Sequence, residues 1–318
     1  MASRGFTETG MEPPPPPTDP QAATHASTFA WGGLLESLRP QQWVKNGFVF
    51  AALIFSRSII DWNRNARVMA GAALFCLMSS AVYLLNDILD APEDRKHPLK
   101  RLRPLASGRL GVGTAAIAAI TLGLVSLGGA WALDHTFFAI IAAYAVINVL
   151  YSWVLKRVVL LDVFVISAGF VLRVVGGGVI IHVEISPWLV VCATLLALFL
   201  ALSKRRHELV ALGKEAGNHR SILSKYSPYF LDQLIGIVTA STVMSYALYT
   251  LSSDVQIKFP GKRLDLTIPF VLFGIFRYLY LVHQNEEGGN PTRLFLTDSV
   301  LLSVVLFWAA SVIFIIYL

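Results

Sequence analysis

Apolar residues in this chain come in long unbroken blocks set off by short charged segments, a pattern unlike strand alternation or the stripe of a soluble helix. The blocks cover about residues 47–56, 66–86, 112–132, 136–155, 158–181, 187–202, 231–251, 266–282 and 297–318. The first is short and has an amphipathic approach from residue 33. A helix rising ~1.5 Å per residue needs roughly 20 residues to cross the hydrocarbon, so the pattern predicts nine transmembrane helices. Backbone in lipid is satisfied only by helices or closed barrels, and these blocks are too continuous for ~10-residue alternating strands. The expected fold is all-α, a polytopic membrane helical bundle forming one domain over residues 30–318. Residues 1–29 hold no apolar block and include the run Pro13–Pro17, so they read as a disordered cytoplasmic tail and not as a signal peptide.

Composition agrees with the pattern. Of 318 residues, 55% are hydrophobic and 14% charged, and mean hydropathy is +0.61. With the N-terminus inside, 18 Lys and Arg fall in inside segments and 6 in outside segments, while Arg173 and Arg277 lie within spans. The positive-inside rule therefore predicts a cytoplasmic N-terminus and charged face, and the expected location is a bacterial-type inner (plasma) membrane. The formal charge of +6 then reads as topology plus a phosphate site more than as nucleic-acid binding. Cys76 and Cys192 each fall inside a predicted span and are expected to be packed thiols.

The most informative segment runs from Tyr83 to Arg109, with four carboxylates and six Lys or Arg directly after the second span. Asn86, Asp90 and Asp94 are spaced i, i+4, i+8, so on a helix their oxygens lean to one face, as a hard cation such as Mg²⁺ requires. Mg²⁺ keeps several waters and completes its shell with substrate phosphates, so these three are the expected metal and catalytic residues for a diphosphate substrate. Asp87 lies ~100° round the helix as a supporting acid. Pro92 is expected to kink the helix before Asp94. Lys96, Lys100, Arg101, Arg103 and Arg109 follow among Pro98, Pro104 and Gly108, a loop whose turns can fold cations back over phosphate. A basic inside loop serves topology as well, and that reading stays open for each residue.

The motif Asn86-Asp87-x-x-Asp90-x-x-x-Asp94 after a second span, in a chain of nine spans, resembles the UbiA superfamily of intramembrane prenyltransferases. The resemblance covers nearly the whole chain from about Leu34. Three blocks are more particular: Leu38-Arg39-Pro40-Gln41-Gln42-Trp43-Val44-Lys45-Asn46; His97-Pro98-x-Lys100-Arg101-x-Arg103-Pro104-x-Ala106-Ser107-Gly108; and Ser203-Lys204-Arg205-Arg206-His207-Glu208-Leu209. Together they resemble the decaprenyl-phosphate phosphoribosyltransferase branch. That resemblance implies transfer of 5-phosphoribose from phosphoribosyl diphosphate (PRPP) to a polyprenyl phosphate, with Mg²⁺ on the donor diphosphate. It implies donor contacts from Lys45, Tyr83, Lys100 and Arg103. For the lipid phosphate the candidates are Lys204 and Arg205, with Lys156 and Arg173.

One departure from the superfamily pattern has a physical meaning. Ordinary members carry a second Asp-x-x-x-Asp motif after span six, whereas the loop expected here has six cations against two glutamates. An anionic lipid phosphate has use for such a loop, and a neutral aromatic acceptor has none. Several residues keep two readings. Lys45 could be an interfacial anchor, Tyr83 core packing, and Lys156 an inside boundary mark. Arg173 inside a span faces either a ligand or a structural partner, and it shares a helix face with Asp162. The alternatives are an aromatic prenyltransferase of the same fold, a membrane transporter, or a CDP-alcohol phosphotransferase. The charges cluster on one face and not at the midplane, and the D-x-x-D-G-x-x-A-R pattern is missing, which weighs against the last two.

Overall fold

This computed structural model describes residues 31–96, 100–213, 221–284, 288–289 and 291–318. The expected tail at 1–29 lies outside them. Eight helices are long and apolar enough to cross a membrane: α1 Trp62–Asp94, α2 Val112–Leu133, α3 His135–Trp153, α4 Leu161–Ile180, α5 Pro187–Leu212, α6 Pro228–Leu251, α7 Ile268–His283 and α8 Ser299–Tyr317. No strand occurs among the described residues. Their starts carry local signals. Asp61, Asp134, Ser227 and Asp298 accept hydrogen bonds from Arg64, Phe137, Phe230 and Leu301 backbone N–H groups, satisfying donors that lipid cannot. Pro187 and Pro228 occupy first-turn positions where no amide hydrogen is needed.

The predicted first span takes a different form. It is an 11-residue 3-10 helix, Pro40–Phe50, continued by the five-residue α-helix Ala51–Phe55. A 3-10 helix rises ~2.0 Å per residue against ~1.5 Å for α, so these few residues still reach about 30 Å. The ends bear this out. Arg39, just before it, meets Asp87 near the end of α1, while Ile59, just after it, donates to the hydroxyl of Tyr317 at the end of α8, 3.1 Å away. The ninth crossing is thus a stretched helix, too short in residues to rank with the eight.

Helix length also places the charged segments, and it corrects the expectation of a loop at 204–206. At ~1.5 Å per residue, the 33 residues of α1 run about 50 Å, well past a ~30 Å hydrocarbon layer. Asn86, Asp90 and Asp94 therefore sit on continuous helix that passes through Pro92, whose exposed ring points away from the packed side. The 26-residue α5 likewise extends through Leu212, so Lys204, Arg205 and Arg206 stand on a helix and not in a loop.

The stretched crossing is wedged between α1 and α4. Trp43 Nε1 donates to Ser80 Oγ at 3.0 Å, and Phe48 meets Phe170 edge to face at 5.0 Å. Val49 joins a core with Phe75, Phe137, Tyr144 and Ile180, while Phe199, Leu202, Leu231, Tyr278 and Leu301 form a second core in the other half. The approach to α4 is so close that a Cβ on Gly177 would lie 2.0 Å from the carbonyl oxygen of Val49. Only glycine admits backbone at that distance. Gly177→Ala should therefore destabilise the protein by about 1–3 kcal/mol and lower activity by displacing the segment that carries Lys45. Gly128→Ala, where an added Cβ meets nothing within 4 Å, is the control. Thermal melts in detergent compare the two, and equal melting temperatures would refute the wedge.

Candidate active site

The charged end of α1 holds its oxygens in two sets, which corrects the expectation of a single face. At ~100° per residue, Asp90 lies about 40°, Asp94 about 80° and Asp87 about 100° round the axis from Asn86. Asp94 thus sides with Asp87. In the structure Arg103 Nη1 bridges those two, 2.7 Å from Asp94 Oδ2 and 3.4 Å from Asp87 Oδ1, and Arg39 Nη2 adds a 2.5 Å contact to Asp87. Asn86 and Asp90 face the end of α3 instead. The Ser152 hydroxyl is hydrogen-bonded to Asn86 Oδ1, and Lys156 Nζ lies 2.9 Å from Asp90 Oδ1.

Among the described residues no three His, Cys, Asp or Glu side chains gather into a metal cage. The donor set is nonetheless all oxygen, with Asn86, Asp90 and Asp94 within about two turns. Such a partial set fits a hard cation that takes its remaining ligands from phosphate and water.

The cations form a second layer. Arg39 stacks over the ring of Tyr83 at 5.0 Å, which places Tyr83 between the acids and the interior. Lys45, half-buried, has no ion-pair partner among the described residues and feels the positive charges of Lys204, Arg173 and Arg39. Lys100 opens a 3-10 turn, Lys100–Leu102, whose carbonyl holds the Arg103 amide at 2.9 Å. Arg109 is occupied with Glu36 at 2.8 Å. Residues 97–99 of the same sequence block, and the 214–220 stretch after α5, lie outside the described residues.

Three cations expected at the lipid phosphate are engaged elsewhere: Lys156 with Asp90, and two more inside the bundle. Arg173 is 5% exposed. It donates to Asn46 Oδ1 at 2.7 Å, to the Gly169 carbonyl at 2.7 Å and to the Tyr144 hydroxyl at 3.0 Å, with aromatic rings of Tyr144, Phe170 and Phe75 around it. Its partner is Asn46 and not Asp162. Arg205 is 1% exposed; its Nε lies 2.9 Å from Asp162 Oδ2 and it also contacts Glu208. Tyr226 donates to Asp162 Oδ1 at 2.9 Å and accepts from the Leu160 amide at 2.8 Å. Burial pushes the Tyr226 hydroxyl up to about 12, so it stays a donor at neutral pH. Lys204, by contrast, is half-buried and 3.8 Å from Glu208.

Arg39, Asn46, Tyr144 and Ser152 belong to the site yet carried no chemical signal of their own in the sequence. Arg39 and Asn46 lie in a block already singled out, and spacing alone could not give either a partner.

This arrangement is that of a membrane-embedded transferase with an acid-tipped helix and a cationic interior, and comparison with known proteins places it. The UbiA prenyltransferase family matches residues 47–209. The decaprenyl-phosphate phosphoribosyltransferase of Corynebacterium glutamicum is 33% identical over 292 residues, covering 90% of this chain and 87% of the relative. That of Mycobacterium tuberculosis is 30% identical over 285 residues, covering 88% and 93%. A solved UbiA homolog from Archaeoglobus fulgidus, bound to GPP and Mg²⁺, superposes with a TM-score of 0.67 at 20% identity, over 90% of this chain and 100% of that one. The chain belongs to the UbiA prenyltransferase family, and it is an integral membrane protein.

The buried pair and the half-buried lysine separate under mutation. Arg205→Ala leaves Asp162 buried without its cation and should cost about 3–5 kcal/mol of stability. Lys204→Ala should change stability by less than about 1 kcal/mol. Denaturation in detergent checks both, and a stable Arg205→Ala protein would contradict the structural role.

Proposed function

We propose that this protein transfers 5-phosphoribose from PRPP to a polyprenyl phosphate of decaprenyl type, releasing diphosphate, with Mg²⁺ as cofactor. The observation that carries the reading is the distribution of charge. An oxygen-donor set at the end of α1 faces one side of the site, while Lys45 and Arg173, with no acid partner among the described residues, stand with Lys204 deeper in. Such a site suits two anionic substrates, a diphosphate and a lipid phosphate. The relatives named above as decaprenyl-phosphate phosphoribosyltransferases support the same assignment.

Asn86, Asp90 and Asp94 would hold Mg²⁺, which supplies neutralisation of charge on the departing diphosphate. Arg103, Arg39 and Lys100 bind and orient the donor, with Tyr83 beside them, and their fixed positive charge favours the oxocarbenium-like transition state by stabilising the leaving group. Lys45 joins the donor contacts, and Lys204 holds the acceptor phosphate. That phosphate is already ionised near neutral pH, so no strong general base is needed. Attack from the face opposite the diphosphate gives a β product from an α donor. Arg173 and Arg205 act at one remove, the first by fixing Asn46 beside Lys45 and the second by fixing the end of α5. The excess of Lys and Arg in the connecting segments on this face supports a cytoplasmic site, and the bacterial origin of the relatives supports an inner membrane as its location.

Purified protein given PRPP labelled in the ribose, a C50 polyprenyl phosphate and Mg²⁺ should form a labelled lipid and free diphosphate. EDTA should abolish the reaction and Mg²⁺ restore it. Asp90→Ala should fall to background, and Lys204→Ala should raise the KM for the lipid by about 10- to 150-fold with little effect on that for PRPP. Transfer of a prenyl group from prenyl diphosphate to 4-hydroxybenzoate would overturn the assignment.

A further inference from the structure

Each of the three aspartates at the end of α1 is already held by a cation of the chain itself. Asp90 is held by Lys156, Asp94 by Arg103, and Asp87 by Arg103 and Arg39. Three acids face three cations. Arg173, with no carboxylate partner among the described residues, tips the local balance to positive. A bare divalent cation approaching Asp90 would have to displace Lys156 against that field. The same cation already chelated by a diphosphate approaches as an anion, which the same field attracts.

The contact over Asn86 and Asp90 has a matched geometry. Ser152 in the last turn of α3 and Lys156 just past its end are four residues apart, and they meet Asn86 and Asp90, four residues apart on α1. One short stretch of chain thus covers both ligands on that side. Lys156 sits on the three-residue 3-10 turn Leu155–Arg157, and its side chain and that of Asp90 are 24% and 35% exposed. This pair is open to exchange in a way the buried Arg205 and Asp162 pair is not.

We infer that Lys156 is a specificity-determining residue: it occupies Asp90 so that the site takes a divalent metal only as a metal–diphosphate chelate, and on binding it passes from the carboxylate to the donor's phosphate. This rests on the donor reading given above. Binding by Lys156 to the donor, and not to the lipid phosphate, follows from its place beside Asp90. The exchange keeps charges paired, since the carboxylate gains the metal as the lysine gains a phosphate.

The test measures Mn²⁺ binding to detergent-purified protein by electron paramagnetic resonance, with no lipid acceptor present, so that nothing turns over. Wild-type protein should bind Mn²⁺ at least about 10-fold more tightly with saturating PRPP than without it. Lys156→Met should move the two affinities in opposite directions, tightening Mn²⁺ alone by about 10-fold and weakening Mn²⁺ with PRPP by about 5-fold or more. Lys156→Arg keeps the charge and should bind Mn²⁺ alone as poorly as wild type, and the melting temperature of each variant reports its folding. Tight Mn²⁺ binding to wild type without PRPP, or no tightening in Lys156→Met, overturns the inference and leaves the donor reading standing. Absence of PRPP binding to folded wild-type protein overturns both.

Discussion

A buried guanidinium with no carboxylate partner among the described residues is the constraint around which this bundle is organised. Arg173 sits inside a membrane span, where an unsatisfied charge is expensive. Its donors go to a side-chain amide, a backbone carbonyl and a phenol, and its faces are lined by aromatic rings, whose quadrupoles favour a cation. The amide comes from Asn46. Satisfying Arg173 therefore fixes the stretched crossing against α4, and Gly177 gives that crossing the room it needs. Asn46 itself donates to Cys76 at 3.1 Å, carrying the contact on to α1. Lys45, Trp43 and Arg39 take their places from this arrangement.

A second buried pair does comparable work in the other half. Asp162, the first-turn acid of α4, and Arg205 on α5 are almost fully buried, and Tyr226 joins them from the segment before α6. Two helices and the segment leading into a third are thereby tied at one end of the bundle. Buried pairs of this kind are weak evidence for net stability, but breaking one is severe, because the survivor is left charged in a low dielectric. The position of Lys204, one residue before Arg205, depends on this tie.

The Asp90–Lys156 pair at the end of α1 behaves otherwise. Its side chains are 35% and 24% exposed, whereas Asp87 and Asp94 are buried beneath Arg39 and Arg103, so this pair can exchange partners at less loss than its neighbours. Placing buried pairs beside one exchangeable pair gives a site whose frame is fixed while one ligating group is free to change hands.

Much of this was legible in the sequence. The helices follow from local hydropathy, since a segment of sufficient apolar length forms a spanning helix whatever its neighbours. The oxygen-donor motif and the basic blocks were visible because residue type and spacing suffice to state what they can ligate. Which charge meets which was not visible. Arg173 and Asn46 are 127 residues apart in sequence, and no local rule distinguishes the cage that receives Arg173 from a ligand pocket. The same limit applied to Arg205, a basic residue in a basic block, which only packing against Asp162 turned inward. It applied also to Asn86, Asp90 and Asp94, whose shared face over two turns drifts by about 80°, enough for neighbouring segments to divide them. The first crossing was visible as a short apolar block, but its form was not, because its reach comes from a higher rise per residue and not from more residues. Composition set the helices and their chemistry; three-dimensional packing chose the partners, because pairing energies depend on distance and burial that no single segment specifies.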